Sequence, residues 1–245
     1  MEKKKAFTLA EVLITLGIIG VVAAITLPLL VQNYQKMVLK NQFKTAYSIA
    51  QNAYKMAEAQ LGFAPQCYYS YDWIGAPCIK YENGLCVEYG EAVNPTNQSS
   101  DCSVLREQLK KTYKVVKVCE KNAFRDGCIP AYKGLDTVYM DKNPDAEESD
   151  INSSMSGCLG FSETNIRNKT RVWNLADGII IIWYSDRLFA LDVNGMKLPN
   201  KWGYDIFSFT VYKHKSGALK LQPGGCMPIE KGGVSTAQML KDLYK

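Results

Sequence analysis

The chain has 245 residues, 47% of them apolar, enough to bury a sizeable core in one domain or two small ones and unlike a disordered or fibrous protein. Charged residues make up 22%, and 29 Lys plus Arg against 24 Asp plus Glu leave a formal +5, too mild to mark nucleic acid as a partner. Three of those positive charges are Lys3, Lys4 and Lys5, ahead of the first element.

From Phe7 to Val31 run 25 residues whose one charge is Glu11 and whose hydroxyl groups are three threonines. A helix of that length reaches about 37 Å, enough to cross a bilayer with some tilt. It exceeds the roughly 7–15-residue apolar region of a cleaved secretory signal, and no small-residue cleavage site follows it, so the segment is expected to stay in the mature protein. The lysines in front hold the N-terminus on the cytoplasmic side and send everything after about residue 32, every cysteine included, outside. Glu11 is the anomaly. A carboxylate inside an apolar helix is costly unless it is neutralised, reaches the headgroup level or finds a partner, and the helix dipole helps it only in part. It either sits idle at the interface or waits for a positive charge from another chain.

The segment Lys3-Lys4-Lys5-Ala6-Phe7-Thr8-Leu9-Ala10-Glu11-Val12-Leu13, with the apolar run behind it, resembles the cleavage and methylation signature of type IV prepilins and type II secretion pseudopilins. The resemblance covers about residues 1 to 35. It implies that a membrane-embedded prepilin peptidase cuts after Ala6 and methylates the new amine on Phe7; glycine is the usual residue before the cut, so Ala6 is a departure that bears on cleavage rate. Cleavage removes three Lys and one Glu and leaves a net charge of +3. The resemblance also gives Glu11 a role, meeting the Phe7 amine of the neighbouring subunit. Such a pair gains strength where water is excluded and sets the axial register, since a slipped neighbour leaves two unpaired charges. Gly20 and Pro28 match positions common in the same stretch, and Pro28, lacking an amide hydrogen, is expected to kink or loosen the helix. The implied partners are the peptidase, other pilin or pseudopilin subunits in a homo- or hetero-polymer, and an inner-membrane assembly platform.

Past the apolar run, Val31, Tyr34, Val38, Ala46, Ile49, Ala53 and Met56 recur at threes and fours, with Gln32, Lys36, Lys40, Lys44, Gln51 and Lys55 opposite them. Gly62 and Pro65 end the pattern. One helix from about Phe7 to Leu61 would be a rod of roughly 80 Å, its first half in lipid and its second half under a head. The expected fold is therefore α+β and pilin-like, a long N-terminal helix packed against an antiparallel β-sheet head with disulfides. Its parts are a leader at 1–6, a transmembrane and assembly helix at 7–31, an amphipathic continuation at 32–61 and a head at 62–245.

The head holds Cys67, Cys78, Cys86, Cys102, Cys119, Cys128, Cys158 and Cys226, none spaced as CxxC, which weakens zinc-ribbon and thioredoxin-like readings. Disulfides in an oxidising compartment are expected. Residues 62–170 are otherwise hard to read. Val104–Tyr113 suggests a short helix with Leu105 and Leu109 on one face, and Lys114–Cys119 a strand. Cys119 and Cys128 flank the Arg125-Asp126-Gly127 turn, and Cys78 and Cys86 flank Asn83-Gly84, two of many possible pairings. Asp141–Asp150, with five acids and one lysine, reads as a solvated loop.

The last third predicts strands at Gly178–Tyr184, Leu188–Val193, Ile206–Lys213 and Ala218–Leu221, an antiparallel meander with turns at Asp177-Gly178, Ser185-Asp186 and Lys215-Ser216-Gly217. A tail helix at Thr236–Leu243 starts from Ser235. The loop from Asp192 to Asp205 resembles one before the final strands of many pilin-like proteins, where related major pseudopilins bind calcium. Asp192, Asn194 and Asp205 with loop carbonyls would suit calcium, but the spacing is not that of an EF-hand, and the same residues can instead bond their own backbone.

His214, the sole histidine, lies between two lysines near a turn, the setting of a solvated residue, and no metal cluster, phosphate loop or second histidine points to catalysis. The expected function is a structural subunit of a type IV pilus or type II secretion pseudopilus. The alternative is a minor tip pilin acting as an adhesin or as a DNA- or partner-binding module, for which the aromatic run Tyr68-Tyr69-Ser70-Tyr71-Asp72-Trp73 and scattered lysines leave room. An anchored extracellular enzyme is a third and unsupported reading. The expected location is the bacterial inner membrane, crossed once, with the head outside.

Overall fold

A computed structural model describes residues 8–71, 78–82, 85–89, 102–155, 157–226 and 228–243. In chain order the elements are α1 (Leu9–Leu61), β1 (Ser70–Tyr71), β2 (Cys78–Glu82), β3 (Leu85–Tyr89), α2 (Ser103–Thr112), β4 (Val115–Cys119), α3 (Leu135–Lys142), α4 (Glu148–Ser154), a 3-10 turn (Leu159–Phe161), α5 (Glu163–Asn168), β5 (Arg171–Leu175), β6 (Ile180–Ser185), β7 (Leu188–Asp192), β8 (Ile206–Lys213), β9 (Leu219–Pro223) and α6 (Thr236–Asp242). The chain divides into two compact units, Met1–Asn41 and Gln42–Lys245.

The described residues of the first unit from Leu9 on are helix. Thr15 and Thr26 turn their hydroxyls onto the Val12 and Val22 carbonyls, both at 2.9 Å, so the polar atoms of the apolar run are satisfied within the helix. What faces outward is hydrocarbon: Leu9, Ile14, Ile19, Ile25 and Leu30 are all exposed. Among the described residues α1 is the one helix long and apolar enough to cross a membrane. It runs unbroken through Pro28, although a proline there has no amide to give the Ala24 carbonyl. Gly62, at φ +76°, follows its last turn, as the sequence predicts.

The second unit is built on six antiparallel strands that neighbour one another in chain order, β4 to β9, with β1 added parallel to the end of β8. β2 and β3 form a separate antiparallel hairpin. Trp173, Ile181, Trp183, Phe189, Phe207 and Phe209 line one face of the sheet and pack against α1 and α2. The α1 residues buried there are Phe43, Ala46, Ala50, Ala53, Tyr54 and Ala57, a three-four repeat of four alanines with two aromatic rings among them. Phe43 meets Phe207 edge-on at 4.6 Å, and Tyr54 stacks on Phe189 at 6.4 Å. The stripe differs from the predicted one, since Tyr34 and Met56 are exposed and Ile49 only half-buried. The sheet already presents Phe and Trp rings, so the helix side closest to it must be alanine.

The other face is buried as well. Val172, Ile180, Ile182, Leu188, Ala190 and Ile206 pack under Ile129, Tyr132, Leu135, Val138, Phe161 and Ile166 from the segment between β4 and β5. This second layer explains why residues 179–182 read as four consecutive isoleucines and not as an alternating strand. β5 and helices α3 to α5 were not anticipated. The acidic stretch at 141–150 is exposed, but it is not a loop throughout: Glu147 and Asp150 form a reciprocal capping box that starts α4, where acids suit the helix dipole.

Three disulfides are described. Cys119–Cys128 closes the predicted turn, Cys67–Cys102 joins the end of α1 to α2, and Cys158–Cys226 pins the second layer to the segment after β9. The side chains of Cys78 and Cys86 lie outside the described residues. The β9 edge is closed by α1, where Gln51 Oε1 accepts from Leu221 N at 2.9 Å and Glu58 Oε1 from Leu219 N at 2.7 Å. Because Ile182 is fully buried between sheet and second layer, Ile182→Ala should lower unfolding free energy by about 2–5 kcal/mol in a urea titration. Val116 on β4 is 68% exposed, so Val116→Thr should stay within about 0.5 kcal/mol of the parent.

Candidate functional site

Ala6 and Phe7, the predicted cleavage and methylation positions, lie outside the described residues with the lysines before them. The structure begins at Thr8, which opens α1 as its N-cap. Glu11 Oε2 accepts from Thr8 N at 2.8 Å and from the Thr8 hydroxyl at 2.9 Å, and Thr8 Oγ1 accepts from Glu11 N at 3.3 Å. This is a capping box, Thr-x-x-Glu, with both orphan amides of the first turn satisfied. Sequence reasoning took Glu11 as a charge without a partner in its own chain; the Thr8 to Glu11 spacing was the overlooked signal. The pairing holds the carboxylate at the start of α1. Gly20 lies mid-helix with nothing within 4 Å of where a Cβ would sit.

The loop between β7 and β8 brings Asp192, Asn194 and Asp205 together. Asp192 and Asp205 are both fully buried. Asp192 Oδ1 accepts from Gly195 N at 2.7 Å and Asn194 N at 3.0 Å, while Oδ2 accepts from the Tyr132 hydroxyl at 2.5 Å. Asp205 Oδ1 accepts from Lys201 N at 2.6 Å and Oδ2 from Asn200 N at 2.7 Å. Gly195, at φ +67°, is required because a Cβ there would stand 2.0 Å from the Gly178 carbonyl oxygen. Trp202, whose indole N–H donates to Lys133 O at 2.9 Å, fastens the loop to the second layer.

Calcium takes about six to eight oxygen ligands. Here all four carboxylate oxygens already hold an N–H or O–H, and Asn194 Nδ2 donates to the Leu198 carbonyl, which leaves Asn194 Oδ1 as the one buried side-chain oxygen of the loop without a hydrogen-bond partner among the described residues. Among the described residues no group of three or more His, Cys, Asp or Glu side chains is arranged to hold a metal ion. The residues do not fit a calcium site; they form the backbone-bonded alternative. Tyr132, contributed by the second layer, was not foreseen. Burial first, and then the adjacent Asp205 charge, push the Asp192 carboxyl up to about 8, and burial raises Asp205 as well.

The remaining candidates disperse. His214 sits in the β8–β9 turn with its Nδ1 2.9 Å from Ser216 Oγ, a local contact. Of the aromatic run, Tyr68 packs against the core and Ser70–Tyr71 form β1, so that part is structural; residues 72 and 73 lie outside the described residues. An unpredicted ion-pair chain ties the head together. Arg106 of α2 grips Asp186 with two bonds of 2.7 and 2.5 Å, and Arg171 joins Asp186 at 3.2 Å to Glu120 at 2.7 Å.

Residues 1–27 match the family model described as the prokaryotic N-terminal methylation motif, which is the signature of type IV prepilins and pseudopilins. No curated protein and no solved structure matches the chain.

The two acids of the loop give a test by pH. Unfolded, Asp192 ionises near its ordinary 3.8; folded, it holds its proton to about 8. Between those values the folded state binds more protons, so this group's contribution to stability is complete below about pH 4, falls as pH rises and is gone above about pH 8. Asp192→Asn should flatten that slope in urea midpoints measured from pH 5 to 8.5, and an unchanged slope would contradict the assignment.

Proposed function

We infer that the chain is a type IV pilin-like or pseudopilin precursor, a reading supported by the motif at residues 1–27, whose signature implies processing by prepilin peptidase and assembly with other subunits. The motif and the apolar half of α1 both fit membrane anchoring.

We propose that the chain crosses the inner membrane once with its N-terminus inside, is cut after Ala6, is methylated on Phe7 and polymerises through α1 into a pilus or secretion pseudopilus. The single observation that carries this reading is the methylation motif joined to a helix whose apolar side chains from Leu9 to Val31 are exposed among the described residues. Such surface is unfavourable in water and is covered by lipid before assembly and by neighbouring helices after it. The capping box supports the role of Glu11, because the carboxylate is held at the helix end where a neighbour's Phe7 amine would arrive. The pair would form with little water present, where a misplaced subunit leaves both charges bare.

A second reading, a minor subunit at the filament tip whose head binds a surface or a partner, is favoured by one feature. The layer between β4 and β5 adds a stapled cover and a cleft, neither of which assembly through α1 uses.

The test of the first reading is Glu11→Ala, expressed with the full assembly machinery. Membrane fractionation should show normal insertion, and electron microscopy of sheared material should show filaments lost or reduced at least about tenfold. Normal filaments would remove the role given to Glu11. Tip placement predicts that the chain is a trace component of those sheared filaments, and its presence as the main subunit would count against it.

A further inference from the structure

At the β6–β7 turn a cleft of about 350 Å³ lies among the start of β5, the end of β6, the 3-10 turn and α5, within the roughly 300–1,000 Å³ usual for small-ligand sites. Its exposed aromatic is Tyr184, 41% exposed. The ring is held in place. Gly160 lies against it so closely that a Cβ would stand 1.6 Å from Tyr184 Cδ2, and Phe161 tilts onto it at 5.7 Å. A glycine at 160 is what lets the backbone support the ring, which leaves a fixed aromatic surface at the cleft.

The polar lining is equally fixed. Ser185 Oγ accepts from the amides of Arg187 and Leu188 at 3.3 and 3.1 Å, so its own O–H is left to donate. Asn165 gives its Nδ2 to Leu159 O at 2.8 Å, which leaves the amide oxygen as an acceptor. The charged groups are balanced, Lys169 and Arg171 against Glu120 and Asp186, and both acids are tied to Arg171. With two charges of each sign and both acids tied to Arg171, the lining has no net charge to draw an anion or a cation. What it suits is a neutral molecule with many hydroxyls and one apolar face.

We propose that this cleft binds a neutral saccharide, one sugar ring lying against Tyr184 and its hydroxyls bonded by Ser185, Asn165 and the Arg171–Glu120 pair. The inference goes beyond assembly and stands without it, because the cleft belongs to the folded head.

The experiment uses the full chain, purified in a zwitterionic detergent free of sugar, titrated with lactose, cellobiose, maltose and N,N′-diacetylchitobiose and followed by saturation-transfer difference NMR. At least one disaccharide should show saturable transfer, with affinity lowered at least tenfold by Tyr184→Ala and retained by Tyr184→Phe, each variant keeping the parent's thermal midpoint. Should Tyr184→Ala fail to fold, protection of Tyr184 from nitration by saturating disaccharide, read by peptide mass spectrometry on the unmutated chain, answers the same question. Absence of binding by all four sugars, binding that survives Tyr184→Ala, or no protection of Tyr184 would overturn the proposal. So would displacement of bound sugar by a single-stranded oligonucleotide with strong salt dependence, which would make the cleft a nucleic-acid site. A chain that binds sugar but forms no filaments would leave this proposal standing and count only against assembly.

Discussion

One helix has to bury apolar surface in two different ways, and the rest of the molecule follows from that. From Phe43 to Ala57 it presents alanines and two aromatic rings at intervals of three and four, and the sheet covers them. From Leu9 to Val31 it presents large aliphatic side chains that are exposed among the described residues. A bilayer covers such a surface without asking for complementary shape, and so does a bundle of the same helices. The second half of α1 therefore fixes the head, and the first half fits membrane anchoring.

The sheet imposes a similar demand. Its inner face is covered by α1 and α2, but Ile180, Ile182 and Ala190 point the other way, and the segment between β4 and β5 exists to cover them. That segment is made of short helices, and Cys119–Cys128 and Cys158–Cys226 tie it down at both ends. Arg106, Asp186, Arg171 and Glu120 run between the layers, so α2, the β6–β7 turn and β5 are tied through two arginines. The Asp192 loop is closed in the same way, by Tyr132 and Trp202, one residue from the second layer and one fastened to it.

How much of this the sequence disclosed depended on whether local or distant contacts decide each element. The strand at Ile206–Lys213 and the cap at Ser235 were legible because alternation and capping act over a few residues. The helix Ser103–Thr112 was legible through Leu105 and Leu109. β5 was not, because its buried Val172 and Trp173 follow one another, as happens when both faces of a sheet are covered. The run of isoleucines at 179–182 carried the same message, and reading it as two-faced would have required a second layer. At the N-terminus, Ala6, Phe7 and Glu11 are recognisable by motif, while Thr8 is not, because the motif assigns Glu11 a partner on another chain and the local Thr8–Glu11 capping spacing goes unread. The candidate calcium residues were placed together by spacing, yet their donors, Tyr132 and the amides of 194, 195, 200 and 201, come from folding and are invisible in composition. Tyr184 needed Gly160, 24 positions earlier in the chain, before it meant anything.

The central claim is that this chain is a processed subunit, and the mature N-terminus tests it most directly. Mass spectrometry of the chain purified from membranes of a host with an active prepilin peptidase should find a polypeptide that begins at N-methylated Phe7. A chain that still begins at Met1 would contradict the account and leave a single-pass anchor carrying a disulfide-stapled head.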